Sequence, residues 1–212
     1  MEQATRALFD KRGEVLVKAL QKRHFEAYYC ASKDEALKQV LALIPEGSTV
    51  GLGGAVSAAQ VGVQEAVHAG NYNVIDRDQF SDPAEKLRCM RECFNADYFI
   101  TGANAISLDG QMVNIDGNGN RVGMIVYGPK NIIVVAGMNK VCASIEDAVK
   151  RARTVAAPMN QQRFALNNPC TCTGVCTDCI SESSICNQIL ITRHCKPAGR
   201  IKFVLVGEEL GF

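Results

Sequence analysis

Several features that would narrow the function are missing from this chain of 212 residues. It has no Lys- or Arg-rich block and a formal net charge of +1, so neither nucleic acid nor an anionic membrane surface is an obvious partner. No apolar run approaches the length of a membrane span, and residues 1–16 lack the apolar core of a secretory signal. We therefore expect a cytoplasmic protein with no membrane span.

Histidine is scarce, and no internal repeat is present. The three histidines, His24, His68 and His194, are isolated from one another, so none is predicted to be a catalytic base. The length suits one domain with an appendage. We expect residues 1–160 to form an α/β domain, with a strand at 200–206 docking back on it. Residues 161–199 form a cysteine-rich segment of irregular structure.

Hydrophobic periodicity alternates between strand and helix along residues 1–160. Strands are predicted at 25–30, 48–52, 72–75, 97–101, 131–136 and 200–206. Helices are predicted at 1–24, 33–44, 58–69, 83–95, 121–127 and 145–157. This alternation predicts an α/β fold with a mostly parallel sheet covered by helices on both faces. Ligands bind beyond the carboxyl ends of such strands, so the loops at 51–54, 101–121 and 137–140 are expected to meet at one rim.

The first of these loops is rich in glycine and leads into a helix. Its backbone N–H groups could approach a phosphate or carboxylate, which makes Gly53, Gly54 and Ser57 candidate ligand-binding residues. It is not a P-loop, because no Gly-Lys-Ser/Thr follows. The alternative interpretation is a tight turn that needs glycine for backbone room.

The second loop, Thr101–Arg121, carries four Asn, two Asp and one Arg. Asn and Gly suit turns, Asn side chains both donate and accept, and Arg can grip a carboxylate with two parallel hydrogen bonds. Turn geometry alone explains Asp109-Gly110 as a hairpin turn. It does not explain the polar run that follows, so we predict an anion-binding loop. The candidate ligand-binding residues are Asn104, Asn114, Asp116, Gly117, Asn118, Asn120 and Arg121.

Asn139 and Lys140 follow the buried strand at 131–136 and complete the candidate set. Lys140 at a strand end could neutralise an anion, or it could be an ordinary exposed lysine.

Ten cysteines are present, and six of them fall between Cys170 and Cys195. Without an export signal, metal or cluster binding is a better interpretation of the crowded six than a disulfide framework. Cys176-Thr-Asp-Cys179 is a C-x-x-C pair, which can grip one metal from a single turn, and Pro169, Gly174 and Asp178 suit the tight turns around it. Four thiolates fit zinc or a [4Fe–4S] cluster equally by count, with free thiols as a third interpretation.

Several motifs together resemble the lactate-utilisation (LUD-domain) family. They are G-L-G-G-A-V-S at 51–57, the run D-Y-F-I-T-G-A-N-A-I-S-L-D-G-Q-M-V-N-I-D-G-N-G-N-R-V at 97–122, Y-G-P-K-N-I-I-V-V-A-G-M-N-K at 127–140, and G-R-I-K-F-V-L-V-G-E-E-L-G-F at 199–212. The resemblance spans nearly the whole chain. It implies a fold like the ribose-5-phosphate isomerase and CoA-transferase group, and a homodimer as a possible assembly.

The resemblance also bears on chemistry. In the isomerases of this group an acidic residue follows Gly-Ala and transfers protons, whereas here Asn104 stands at that position, and an amide cannot act as a general base. The isomerase lysine is not evident either, since Asn114 stands near its place. Asp116 is the nearby carboxylate that could act instead, so it is the candidate catalytic residue. CoA transfer would need a Glu nucleophile in a glycine-rich setting, and none is found.

Relatives that resemble the cysteine segment use Pro-Cys, Gly-x-Cys-x-Asp-Cys and Ile-Cys. The resemblance therefore implies Cys170, Cys176, Cys179 and Cys186 as the metal ligands and leaves Cys172 and Cys195 as extras. A family tied to lactate oxidation favours a [4Fe–4S] cluster, while a compact terminal segment favours structural zinc.

Three functions remain open at this point. The first is a component of iron–sulfur-dependent oxidation of L-lactate or a related hydroxy acid, with a small anionic metabolite and other lactate-oxidation subunits as partners. The second is an independent enzyme on a small phosphorylated or carboxylated metabolite, with zinc in the tail. The third is a ligand-sensing module without turnover, which the amide at Asn104 favours.

Overall fold

The computed structural model describes residues 2–164 and 166–212. The strands are β1 (Glu26–Cys30), β2 (Thr49–Leu52), β3 (Asn73–Ile75), β4 (Tyr98–Thr101), β5 (Ala105–Ser107), β6 (Met112–Asp116), β7 (Asn131–Gly137), β8 (Val141–Cys142), β9 (Gln188–Thr192) and β10 (Ile201–Val206). The helices are α1 (Gln3–Lys22), α2 (Lys33–Ala42), α3 (Val56–Val61), α4 (Val63–Ala69), α5 (Pro83–Glu92), α6 (Asn120–Tyr127), α7 (Ile145–Arg151), α8 (Ala157–Gln161) and α9 (Pro169–Thr173).

Six strands form the central sheet in the order β1-β10-β7-β4-β2-β3, and every neighbouring pair is parallel. Alternate residues of β7 face opposite sides, as the two-residue period of a strand requires. Ile132 and Val134 pack in one hydrophobic core, and Ile133 and Val135 pack in the other. The sheet is therefore buried on both faces, and the predicted parallel architecture with a docked final strand is confirmed.

A second, smaller sheet stands beside the first in the order β8-β5-β6-β9. Strands β5 and β6 form the predicted hairpin, and Gly110 adopts φ +89° at its turn. The fourth strand, β9, pairs antiparallel with β6 over five residues. This strand lies inside the segment that the sequence predicts to be irregular. The sequence gives no signal for it because β9 is held by backbone pairing with β6, while Ile189 and Ile191 remain exposed.

Two predicted helices are interrupted. The helix predicted at 58–69 is divided into α3 and α4 by Gly62, which adopts φ +84°. The helix predicted at 145–157 widens into a π-helical turn over Ala152–Ala156 before α8. Pro158 is the second residue after that turn, and a proline cannot donate to the carbonyl four residues earlier, so a local change of hydrogen-bond pattern accommodates it. In the described part of the chain, no helix has the length and apolar character needed to cross a membrane.

Candidate functional site

A cavity of about 500 Å³ opens beyond the carboxyl ends of β2, β4 and β7, and we call it the rim cavity. The glycine loop and the Asn-rich loop both line it, as does Lys140, so the predicted convergence of three loops is observed. The predicted residues that line it are Gly53, Gly54, Ser57, Asn104, Asp116, Gly117, Asn118, Asn120, Arg121 and Lys140.

The glycine loop needs glycine at two positions because a side chain would not fit there or would strain the backbone. A Cβ atom at Gly53 would lie 2.7 Å from Phe99 Cζ and 2.9 Å from the Ile100 carbonyl oxygen, while Gly54 adopts φ +65°. A Cβ at Gly54 would also come within 3.1 Å of Arg77 Nη2. The tight-turn interpretation is thus correct for both glycines, and it is compatible with ligand binding because the loop forms one wall of the cavity.

Asn104 organises the polar loop. Its Oδ1 accepts hydrogen bonds from the Ile115 N–H and from Arg121 Nη2, both at 2.9 Å. Arg121 Nη2 also donates to the Ile115 carbonyl oxygen. The amide of Asn104 therefore holds the guanidinium of Arg121 in place at the cavity wall.

Asp116 supports the same arginine from the other side. Its Oδ2 accepts hydrogen bonds from the N–H groups of Arg121 (2.9 Å) and Val122 (3.2 Å), and it lies 4.0 Å from Arg121 Nε. These two N–H groups belong to the first turn of α6, where a carboxylate is favourable. Asp116 thus has a defined structural role at the cavity wall, and its catalytic role stays a prediction.

Two of the predicted ligand-binding residues do not line the cavity. Asn114 is fully buried, and its Nδ2 donates to the Gly102 carbonyl oxygen at 2.9 Å. Asn139 Oδ1 accepts from the Leu210 N–H at 3.0 Å. That bond fixes the tail after β10, which brings Phe212 to the cavity. Both asparagines therefore support the site through the backbone of its walls.

Lys140 is buried, so the interpretation as an ordinary exposed lysine is wrong. Its side chain ends against the glycine loop, where Nζ donates to Ser57 Oγ at 2.9 Å and to the Ala103 carbonyl oxygen at 3.1 Å. Burial lowers the pKa of Lys140 to about 7, and the positive charges of Arg151 and Arg121 add to the effect. The lysine is therefore divided between its charged and neutral forms at neutral pH.

Arg77 and Arg163 also line the rim cavity but were not predicted. Arg77 belongs to a short 3-10 turn that follows β3, so the rule for carboxyl ends of parallel strands could have indicated it. Arg163 follows α8 in a segment without a recognisable pattern. Together with Arg121, these side chains bring three guanidinium groups to the cavity that Lys140 also lines, beside the acids Asp78, Asp116 and Glu182.

The four cysteines named by the resemblance line a second cavity, of about 240 Å³, which we call the cysteine cavity. Its wall contains Cys170, Cys176, Cys179 and Cys186. The turns around it match the sequence expectation, since Pro169 begins α9, Gly174 adopts φ +74° and Asp178 adopts φ +55°. Cys172 is exposed outside the cavity, and Cys195 is buried in the core beside Phe203.

Burial raises the pKa of Cys186 to about 11, and the nearby thiols Cys176, Cys170 and Cys179 raise it further. Hydrogen bonds from Ser181 lower the pKa of Cys179. Within the described residues, no three His, Cys, Asp or Glu side chains form a group that could hold one metal ion. A [4Fe–4S] cluster places its four thiolates around a wider core than a single ion does, and four cysteines around one cavity fit that donor set.

The two cavities are neighbours. Ala157 lines both of them, and Cys186 of the cysteine cavity directly follows Ser184 and Ile185 of the rim cavity. Arg153 pairs with Asp178 at the wall of the cysteine cavity. The two cavities therefore share a wall at Ala157.

Comparison with known proteins agrees with this architecture. Residues 13–206 match the LUD domain, so the chain belongs to the LUD-domain family, and this membership supports a role in lactate utilisation at the family level. No curated protein matches the chain.

A solved DUF162 family protein from Deinococcus radiodurans is 14% identical, with a TM-score of 0.50 over 95% of this chain and 97% of that one, and this likeness shows the fold. Weaker likenesses, both below a TM-score of 0.5, are found to eIF2B beta from Chaetomium thermophilum and to ribose 5 phosphate isomerase A from Neisseria gonorrhoeae. The eIF2B beta chain is 14% identical, with a TM-score of 0.39 over 56% of this chain and 45% of that chain. The isomerase is 17% identical, with a TM-score of 0.36 over 53% of this chain and 54% of that chain.

Proposed function

We propose that this protein is a lactate-utilisation component that binds a small 2-hydroxy acid or a related carboxylate in the rim cavity, beside a [4Fe–4S] cluster held by Cys170, Cys176, Cys179 and Cys186. The observation that carries the proposal is the contact between the two cavities, through the shared wall residue Ala157. Other lactate-oxidation subunits would be the electron partners, and a homodimer stays a prediction.

The charge of the rim cavity supports a carboxylate ligand. Arg121 uses Nη2 for protein contacts, and Asn104 and Asp116 hold the group so that its remaining donors can serve a ligand. Arg77 lies against Gly54 of the glycine loop, where its Nη1 donates to the weak acceptor Met90 Sδ and its Nε lies 3.7 Å from Asp78 Oδ1. Asn118 lines the same cavity, and its side-chain amide supplies the donor and acceptor capacity that a substrate hydroxyl needs.

The surroundings of the cysteines support a cluster. A bound [4Fe–4S] cluster would supply one-electron transfer at this wall. Ala157 and Pro158 are buried and give the cavity an apolar side that limits contact with water. Arg153 and Asp178 form an ion pair that closes part of the cavity wall beside the cysteines.

The size of the rim cavity favours a second candidate as well. About 500 Å³ is within the range of sites for drug-sized ligands and exceeds what a three-carbon acid fills. A small phosphorylated metabolite, acted on by an independent enzyme, is therefore the alternative ligand class.

Metal analysis tests the cluster. We expect anaerobically purified protein to contain iron and acid-labile sulfide and to show broad charge-transfer absorbance. Cys176→Ala should lose most of the iron, whereas the matched variant Cys172→Ala, in the same segment but outside the cavity, should keep it. Zinc in place of iron, or equal iron loss in both variants, would contradict the cluster.

Calorimetric titration tests the ligand class, with L-lactate, pyruvate, inorganic phosphate and ribose 5-phosphate as probes. We expect a carboxylate to bind, and Arg77→Gln to weaken the affinity about tenfold or more, because removal of a charged hydrogen-bond partner costs about 1.5–3 kcal/mol. Arg88→Gln is the matched control, since Arg88 is 66% exposed on α5 and outside the cavity. Binding of the phosphorylated probe alone would favour the second candidate.

A further inference from the structure

The ammonium of Lys140 has few partners for a buried charge. Two contacts hold Nζ, one to the Ser57 hydroxyl and one to the Ala103 carbonyl oxygen. Both partners accept hydrogen bonds, so they use two of the three N–H groups of an ammonium ion. Lys140 lines the rim cavity, and the groups that act on its charge are the cations Arg151 and Arg121. Its arrangement serves a neutral amine better than an ammonium ion.

A neutral amine that is 5% exposed at a cavity wall is a nucleophile held in a fixed direction. The two protein contacts orient the two N–H groups, which leaves the lone pair of Nζ as the third direction. The fraction of neutral amine at pH 7 is also on the order of a thousandfold above that of a lysine in water.

We propose that Lys140 forms a reversible imine with a 2-oxo acid bound in the rim cavity. The carboxylate specificity rests on the function proposed above, since a 2-oxo acid is the oxidised counterpart of a 2-hydroxy acid. The imine itself rests on the position of Nζ. The protein would therefore hold the oxo acid covalently, and this would separate it from the hydroxy acid, which has no carbonyl group to attack.

The bonds of this step balance without an oxidant or a reductant. The lone pair of Nζ attacks the keto carbon, the C–N bond forms, and the electron pair of the carbonyl π bond moves to oxygen. A proton passes from nitrogen to that oxygen, which gives a carbinolamine. The hydroxyl group then leaves with a second proton as water, and the C=N bond remains.

Ser57 is placed to carry these protons. Its Oγ lies 2.9 Å from Nζ, and it is 1% exposed, so bulk water does not compete for the transfer. Arg121 lies at the same cavity wall and can bind the carboxylate of the acid, which would direct the keto carbon toward the lysine. Ser57 is a proton-relay residue in this scheme, and Lys140 is the catalytic residue.

Reductive trapping tests the proposal. The full-length protein is incubated with pyruvate at pH 7 and treated with sodium borohydride, and the adduct is located by peptide mass mapping. We expect a single addition of pyruvate, less water and plus two hydrogens, on the peptide that contains Lys140. Lys130 is the internal control. It directly precedes β7, at the end of the strand away from the rim cavity, and its side chain is 82% exposed. Trapping at Lys130 should be at least about tenfold weaker.

The location of the adduct in the wild-type protein decides the outcome, so the test does not depend on a variant that must fold. Lys140→Arg, which keeps the charge but lacks a primary amine, should lose the adduct, and L-lactate should give none. Pyruvate that binds in calorimetry but is not trapped, or is trapped equally at both lysines, would overturn the imine and leave the carboxylate site standing. Absence of both binding and trapping would overturn the imine and the proposed ligand class together.

Discussion

Replacing Lys140 with Met tests how strongly burial acts on this side chain. Met has a similar length and no charge, so it can occupy the same space between the glycine loop and β7. The native pKa of Lys140, about 7, lies below the ordinary value of 10.5. Between these values the unfolded chain binds more protons than the native chain, so the free energy of unfolding rises with pH across that window. The variant lacks this dependence.

The magnitude follows from linkage. A shift of one pKa unit corresponds to about 1.4 kcal/mol, and integration from pH 7 to pH 8.5, with the native lysine half protonated at the start, gives a gain in stability of about 1.6 kcal/mol for the wild type. The window ends there because Cys30 and Cys93, whose pKa values burial raises to about 11 and about 12, begin to act above it. Their thiolates form first in the unfolded chain, which lowers stability at higher pH.

Urea denaturation at both pH values, followed by circular dichroism, measures the effect. With a slope of about 2–3 kcal/mol per molar urea, the wild-type midpoint should rise by about 0.5–0.8 M from pH 7 to pH 8.5. The midpoint of Lys140→Met should not rise. Lys130→Met provides the matched control and should behave as the wild type does, because Lys130 is exposed. Equal pH dependence in wild type and Lys140→Met would refute a depressed pKa at this position.

Three further substitutions have defined outcomes. Gly53→Ala should lower the free energy of unfolding by about 1–3 kcal/mol in urea titration, because its Cβ would overlap Phe99 and the backbone beside it; unchanged stability would mean that the loop can shift. Asn104→Asp should leave stability within about 1 kcal/mol, since a carboxylate can still accept from Arg121, but it should weaken carboxylate binding in calorimetry by charge repulsion. Arg153→Ala should speed the loss of cluster absorbance in air, because it removes part of the cysteine cavity wall; an unchanged rate would show that the arginine does not shield the cysteines.

The central sheet could be predicted from the sequence because its strands have strong local patterns. The continuous apolar run at 131–136 predicts a strand buried on both faces, and β7 is such a strand. Strand β9 could not be predicted in this way, since its pairing with β6 is a long-range contact and three of its five residues are exposed. The break at Gly62 could not be predicted either. The apolar periodicity continues through this position, and the break shows only in the left-handed backbone angles of Gly62.

The site was predictable where a loop follows a strand of the central sheet. The rule that ligands bind beyond the carboxyl ends of parallel strands predicts Gly53 and Arg121. Arg77 also follows a strand of the central sheet and fits the same rule. The burial of Lys140 was not predictable, because it depends on the tail after β10, whose Gly211 packs against Nζ. The sequence indicates that the asparagines lie near the site. Which of them line the rim cavity and which hydrogen-bond to the backbone of its walls follows only from the contacts in the folded structure.

The position of β10 has a consequence for the order in which this protein can be assembled. Strand β1 pairs only with β10, and β7 pairs with β10 and β4, so the two ends of the central sheet are not hydrogen-bonded to each other until β10 is in place. On the ribosome, the cysteine segment emerges before the strand that joins the sheet. The four thiols of the cysteine cavity are therefore synthesised before the parallel core can be completed. Long-range parallel pairing of this kind is slow, which extends that interval.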